Sequence, residues 1–341
     1  MRLRDLGPIP GTLPAGKNNA ITDVSGVRVG HTTLIKGDDI RTGVTAILPH
    51  SDDLFDEKVP AAVHTINGFG KACGFEQVRE LGNIETPILL TSTLNIPRVA
   101  DACITYMIQS NSKLRTVNPI VGECNDGFLN DIQGRHVAQE QVFAAIQAAS
   151  DGLVEEGCVG AGTGTLCYQF KGGIGTASRI TGDYTLGALL QTNFGRRNEL
   201  MIMGVPVGNH LPNQKNVAIS DGSVMIVLAT DAPLTSRQLE RLAHRAAFGL
   251  GRTGTICHHG SGDYVIAFST AYRLSNTLID VPHIPESQLD SLFHAVVESV
   301  EEAVYNSLIA ATDMQGIYGH FAPALPHDEL LHWMRYYKRL G

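Results

Sequence analysis

The chain has 341 residues, of which 43% are hydrophobic and 18% charged, with 36 glycines and a formal net charge of −8. That balance describes a globular protein with a large core and many tight turns, and excludes a disordered or coiled-coil chain. It holds no run of lysine or arginine and no window of membrane-spanning length, so neither nucleic acid nor a membrane is expected as a partner.

Residues 1–11 lack the apolar core of a signal peptide, which makes the cytoplasm the expected location. Along the first 135 residues short apolar runs alternate with glycine and proline turns. Residues 43–48, 88–91 and 119–121 read as strands or strand ends. Val99, Cys103, Met107 and Ile108 fall at helical spacing before Asn111, and residues 139–149 form an alanine-rich helix with Val142, Ile146 and Ala149 on one face. The text G-A-G-T-G-T at 160–165 lacks the G-K-[ST] ending of a P-loop and the third glycine of a dinucleotide fingerprint. Closely packed backbone beside a site is expected there instead. Residues 171–179 (K-G-G-I-G-T-A-S-R) read as further tight-turn text.

Asp221-Gly222 marks a turn, and the run from Val224 to Thr230 that follows has the length and β-branched content of a buried strand. Next comes a helix with Thr235 and Gln238 as a capping box, Leu239, Leu242, Ala246 and Leu250 as its stripe, and an end at 249–251. Residues 264–270 read as a strand. Residues 287–310 read as a long amphipathic helix with Leu289, Leu292, Phe293, Val296, Val300, Val304 and Leu308 facing inward. The tail from Gly316 reads as a loop packed on the body or on a neighbour. The expected architecture is α/β or α+β, with sheets covered by helices in a single domain, 1–341.

Ser223 opens the buried strand directly behind Gly222. Its hydroxyl can attack the Gly222 carbonyl, and hydrolysis of the resulting ester would free Ser223 as a new N-terminus. It would then carry both a nucleophile and an α-amine with a pKa of about 7.7–8 as a nearby base. Glu123 and Asn125 lie in an acidic, amide-rich segment, 121–131, directly after an apolar strand, where loops build sites. Ser261 and Asp263, two apart on an extended segment, project to the same side and suit a proton relay. Taken singly, each feature also has a plain structural explanation: a hairpin turn, a solvated acidic loop, a Gly-Ser-Gly turn. No G-x-S-x-G elbow or well-placed S-x-x-K is present, so a standard serine hydrolase is not indicated. Cys73, Cys103, Cys124, Cys158, Cys167 and Cys257 form no C-x-x-C pair and read as reduced thiols. His258 and His259 point to opposite faces of an extended segment, so they are not expected to ligate one metal ion together.

As a set, these segments resemble the self-processing L-aminopeptidase/D-esterase-amidase family, which includes the DmpA-like and BapA-like β-peptidyl aminopeptidases. The carrying text is R-L-R-D-L-G at 2–7, P-G-T-L-P at 10–14, N-A-I-T-D-V-S-G-V-R-V-G-H-T-T at 19–33 and E-T-P-I-L-L-T at 85–91. It continues through the glycine-rich runs at 160–165 and 171–179, Q-T-N-F-G at 191–195, D-G-S at 221–223, A-T-D-A-P-L at 229–234, G-R-T-G at 251–254 and H-G-S-G-D at 259–263. The resemblance implies a four-layer αββα sandwich, similar to the N-terminal-nucleophile (Ntn) hydrolases but connected differently. It implies cleavage between Gly222 and Ser223 into an α chain, 1–222, and a β chain, 223–341, with assembly into tetramers of such heterodimers.

The resemblance also assigns roles. Ser223 matches the nucleophile, Ser261 and Asp263 the pair that assists it, Asn193 the amide donor to the oxyanion, and Glu123 the acid that receives the substrate's free amine. Relatives often carry glutamate at the position of Asp263. Where they can carry a tyrosine that helps the oxyanion, this chain has Asn125, which is left to contact oxyanion or substrate. The activity implied is a cofactor-free aminopeptidase or amidase acting on small peptides, amides or esters with a free amine. Two alternatives share the pattern: an acyltransferase of the ornithine acetyltransferase type, which typically uses threonine at the cleavage point, and an uncleaved binding protein for amino acids or peptides.

Overall fold

The computed structural model describes residues 1–211, 222–275 and 280–340. Strands β1 (Arg28–Lys36), β2 (Ile40–Leu48) and β3 (Val59–Gly68) lead into helix α1 (Phe75–Leu81) and the short β4 (Asn83–Ile84). Next are β5 (Ile88–Ser92), α2 (Ile96–Ser110), β6 (Ile120–Cys124), α3 (Gln139–Gln147) and a hairpin of β7 (Leu166–Cys167) and β8 (Phe170–Lys171). Strands β9 (Ile174–Thr181), β10 (Tyr184–Asn193) and β11 (Ser223–Thr230) precede α4 (Ser236–Arg252), β12 (Gly262–Ser269) and α5 (Leu289–Ile309). A small hairpin, β13 (Met314–Gln315) and β14 (Phe321–Ala322), and α6 (His327–Tyr336) close the chain.

Beside the two small hairpins, the described strands form two larger sheets, in the orders β1-β2-β5-β6 and β4-β3-β12-β11-β10-β9. The alternation of side chains along each strand explains why they stack. On β11, Val224, Ile226 and Leu228 join a core shared with α4 and α5, while Met225, Val227 and Ala229 join one shared with the other sheet. On β2, Ile47 faces that same inter-sheet core, and Val44, Ala46 and Leu48 pack under α2 and α3. The layers are therefore helix, sheet, sheet, helix, the expected αββα order. Strands buried on both faces carry near-continuous apolar runs, and hence the strong signal of residues 224–229. Two parallel pairs, β5 with β6 and β11 with β12, are each joined through one helix.

Several local expectations hold and others are corrected. The Thr235–Gln238 capping box forms, with the Gln238 N–H donating to Thr235 Oγ1 at 3.3 Å. Its helix runs on to Arg252, just past the glycines expected to end it. Ile108 is exposed rather than part of the buried stripe of α2. Residues 174–181 form a strand, not turns. Glycine there allows close approach: a Cβ on Gly175 would lie 1.9 Å from the Ala303 carbonyl of α5, so the helix can lie directly on the strand. The tail is no simple loop either, because α6 docks Leu330 and Met334 into the core.

The polar side of α5 is buried too, since the N-terminal segment crosses it. Arg179 donates to Glu298 at 2.8 Å and to Glu302 at 2.6 Å, Arg4 reaches Glu302 at 2.6 Å, and the Thr12 and Leu13 amides cap Glu298. Burial alone would raise the Glu302 pKa, but Arg4, Arg179 and Asn19 outweigh it and hold the carboxyl below its ordinary value. All six cysteines are unpaired. Among the described residues, no helix is long and apolar enough to cross a membrane.

Candidate active site

One end of the inter-sheet layer collects the strand termini that carry polar residues. Antiparallel pairing sets Asn193, the last residue of β10, opposite Ser223, the first of β11, and parallel pairing sets Ser223 opposite Gly262 of β12. From the other sheet, β5 and β6 end at Ser92 and Cys124. Between them opens a cavity of about 840 Å³, lined by Glu123, Asn125, Asn193, Gly222 and Ser223 together with apolar groups that include Phe69, Phe128 and Phe194.

Ser223 is buried at the base of this cavity, and two N–H donors converge on its Oγ. The Asn193 side-chain amide donates at 3.3 Å and the Asn125 main-chain N–H at 3.3 Å. Asn193 is oriented from behind: the Leu166 N–H donates to its Oδ1 at 3.0 Å. An N–H can bond only an acceptor, so this contact fixes Oδ1 away from Ser223 and leaves the NH₂ facing it. The Asn125 side chain turns back instead, its Oδ1 accepting from the Gly127 N–H at 2.9 Å. What this residue offers Ser223 is its main chain.

Gly222 has no room for a side chain. A Cβ there would sit 2.7 Å from Phe194 Cα and 2.9 Å from the Asn193 carbonyl oxygen. Its own carbonyl accepts from the Gly262 N–H at 3.1 Å. Asp221, the first half of the expected turn, lies outside the described residues.

Glu123 is buried at the cavity wall, with Oε1 accepting from the Lys71 N–H at 3.0 Å and Oε2 from the Thr93 hydroxyl. Burial raises its pKa, and these two donors offset the rise only in part. A carboxylate so placed favours an arriving cation, which restores the charge compensation lost on leaving water.

Ser261 and Asp263 do not line the cavity. They form their own pair at the start of β12, Ser261 Oγ donating to Asp263 Oδ1 at 2.6 Å, and flank Gly262, the residue opposite Ser223. Burial pushes the Asp263 carboxyl up to about 6 against the bond from Ser261.

Three other parts were not legible in the sequence: Thr93 and Lys71 on Glu123, and His320, which stacks on Phe128 with ring centroids 4.5 Å apart. Each meets its partner only through the tertiary fold. Among the described residues, no cluster of His, Cys, Asp or Glu could hold a metal ion.

Comparison with known proteins agrees with this architecture. The profile of Peptidase family S58 matches residues 19–322. The chain belongs to this family. A β-peptidyl aminopeptidase BapA from Sphingosinicella microcystinivorans is 40% identical over all of this chain and 93% of its own length. The crystal structure of the L-aminopeptidase D-Ala-esterase/amidase from Ochrobactrum anthropi, described as a new variant among the Ntn hydrolase fold, superposes with a TM-score of 0.94 at 41% identity. That match covers 100% of this chain and 99% of the other. A Burkholderia sp. β-aminopeptidase superposes with a TM-score of 0.92 at 41% identity, covering 98% of this chain and 99% of its own. The S58 chain therefore has the Ntn-hydrolase-like variant fold and is a hydrolase.

Proposed function

We propose that this S58 hydrolase is a self-cleaving serine aminopeptidase that removes N-terminal residues, α or β, from small peptides, amides or esters with a free amine. The observation that carries the reading is the pairing of Ser223, with two N–H donors on its Oγ, and the buried Glu123 in one cavity.

Self-cleavage comes first. The Gly222 carbonyl is polarised by the Gly262 N–H and lies one bond from the nucleophile's own residue. Attack by Ser223 Oγ converts the Gly222–Ser223 amide to an ester, breaking the C–N bond and freeing the Ser223 α-amine, and water then cleaves the ester to the Gly222 carboxylate and the regenerated Ser223 hydroxyl. The products are an α chain, 1–222, and a β chain, 223–341, which remain one domain.

In turnover, the substrate's ammonium docks on Glu123 as a charge-assisted pair, which accounts for the need for a free amine. Its carbonyl then stands beside Ser223, with the oxygen within reach of the Asn193 NH₂ and the Asn125 N–H. Oγ attacks as the Ser223 α-amine accepts its proton, and the Ser261–Asp263 pair, flanking the residue opposite, stabilises the charge that results. A single oxyanion donor of the Asn193 kind contributes about 3 kcal/mol. The amine or alcohol leaves with a proton, and water hydrolyses the acyl-enzyme. No cofactor enters this scheme. Association into a homo-oligomer of αβ units and a cytoplasmic location complete the proposal.

Intact mass with N-terminal sequencing of the purified protein tests it. The expected result is two chains, the second beginning Ser-Val-Met-Ile. A single chain that hydrolyses no amino-acid amide would overturn the reading in favour of a binding protein.

A further inference from the structure

Lys171 is fully buried, and among the described residues it forms no ion pair. Its ammonium donates to three main-chain carbonyls instead: Gly172 at 2.8 Å, Thr165 at 2.9 Å and Gly162 at 3.1 Å. Every N–H of the head group is thereby satisfied. Burial draws its pKa below that of an ordinary lysine. A cation stripped of water and held by main-chain carbonyls, with Cys158 and Asp126 only partly offsetting its burial, is costly to hold, and the mechanism so far gives it no task.

The Thr165 carbonyl and the Leu166 N–H belong to one planar peptide group. The oxygen end of that plane accepts from the Lys171 ammonium at 2.9 Å and, at the longer distance of 3.4 Å, from the Gly172 N–H, and the nitrogen end donates to Asn193 Oδ1 at 3.0 Å. The chain of bonds continues from the Asn193 NH₂ to Ser223 Oγ. The hairpin that begins at Leu166 is held by main-chain bonds that do not involve the Lys171 side chain. Leu166 pairs with Lys171 across β7 and β8, and the turn residue Tyr168 donates its N–H to the Phe194 carbonyl at 2.7 Å.

We propose that Lys171 is a positioning residue for hydrolysis, its ammonium acting through the Thr165–Leu166 peptide to hold Asn193 with its NH₂ toward Ser223. A cation on the peptide oxygen makes the N–H at the other end a stronger donor, since hydrogen bonds in series polarise one another. Without it the peptide plane can tilt, Leu166 loosens its hold, and the Asn193 amide is free to rotate by half a turn. Its oxygen would then face the developing oxyanion and repel it. This inference rests on the serine mechanism proposed above.

The test is a double-mutant cycle of Lys171→Met and Asn193→Ala, read as kcat and KM on an amino-acid p-nitroanilide, with rates normalised to the fraction of chain cleaved. Lys171→Met is expected to lower kcat about 10- to 100-fold, less than the 10²- to 10³-fold loss typical of a missing oxyanion donor, because the donor is misplaced rather than removed. KM should stay within about threefold, because Glu123 still holds the amine. In the Asn193→Ala background the same change should have almost no further effect. Full loss in both backgrounds, or a rise in KM matching the fall in kcat, would overturn the positioning role. Should Lys171→Met fail to fold, Lys171→Arg carries the same cycle, and it is expected to keep more of kcat because it retains the charge. A wild-type chain without hydrolysis would refute the serine mechanism itself, an outcome distinct from additive losses in an active enzyme.

Discussion

Ser261 and Asp263 are joined by a 2.6 Å hydrogen bond on β12, and Gly262 between them is the residue opposite Ser223. The pair is buried, and the resulting desolvation sets the Asp263 carboxyl at about 6 rather than near 4. If its ionised form assists Ser223, kcat should fall on the acid side with a midpoint near pH 6. That fall adds to the one set by protonation of the Ser223 α-amine, so the profile should steepen below pH 6; Asp263→Asn should lower kcat and remove the steepening alone, which a pH profile of the cleaved enzyme checks.

The same shift has a consequence for stability with a definite sign. Asp263 binds its proton more tightly in the folded chain than in the unfolded one, so its contribution to stability declines as pH rises from about 4 to 6. Asp263→Asn should therefore melt higher than wild type at pH 7.5, with the difference shrinking toward pH 4. A lower melting temperature at pH 7.5 would show that the Ser261 bond outweighs desolvation.

Ser223→Ala should yield one full-length chain on a denaturing gel and no amidase activity. Two bands from this variant would place the cleavage chemistry on another residue.

Glu123→Gln should raise KM for free-amine substrates by roughly one to two orders of magnitude, the scale of a lost charged hydrogen bond at about 1.5–3 kcal/mol. Self-cleavage should change little, since no substrate amine takes part in it. Parallel measurement of processing and turnover separates the two, and equal loss of both would make Glu123 a structural group.

Arg179→Met should destabilise the fold by about 3–5 kcal/mol, because Glu298 and Glu302 would stay buried with their main partner gone. Chemical denaturation of the uncleaved Ser223→Ala chain gives the comparison within one polypeptide.

The parts legible in the sequence were those whose signal is local. The apolar run of β11 and the Thr235 cap of α4 announce themselves within a few residues. β9 did not, because its glycine, threonine and alanine are chosen for the closeness of α5 rather than for apolar bulk. The long helix α5 differs in the opposite sense: an amphipathic pattern implies a solvated polar side, whereas Arg179 and Arg4 cover Glu298 and Glu302 from distant parts of the chain. At the site, family text located Ser223, Asn193 and Glu123. It had no way to show that Asn125 presents its main chain, or that His320 stacks on Phe128 across 192 positions.

β11 is paired along its whole length with β10 on one side and β12 on the other. A cut at Gly222 would therefore free one end of a central strand without releasing it, and the severed polypeptides would stay interlaced through a shared interior. The symmetry is lost once that interior is opened. Before processing, recovery from denaturant is a first-order event within one molecule; afterwards it requires two strangers to meet, and its yield should depend on concentration. Maturation would thus turn a unimolecular refolding into a bimolecular one.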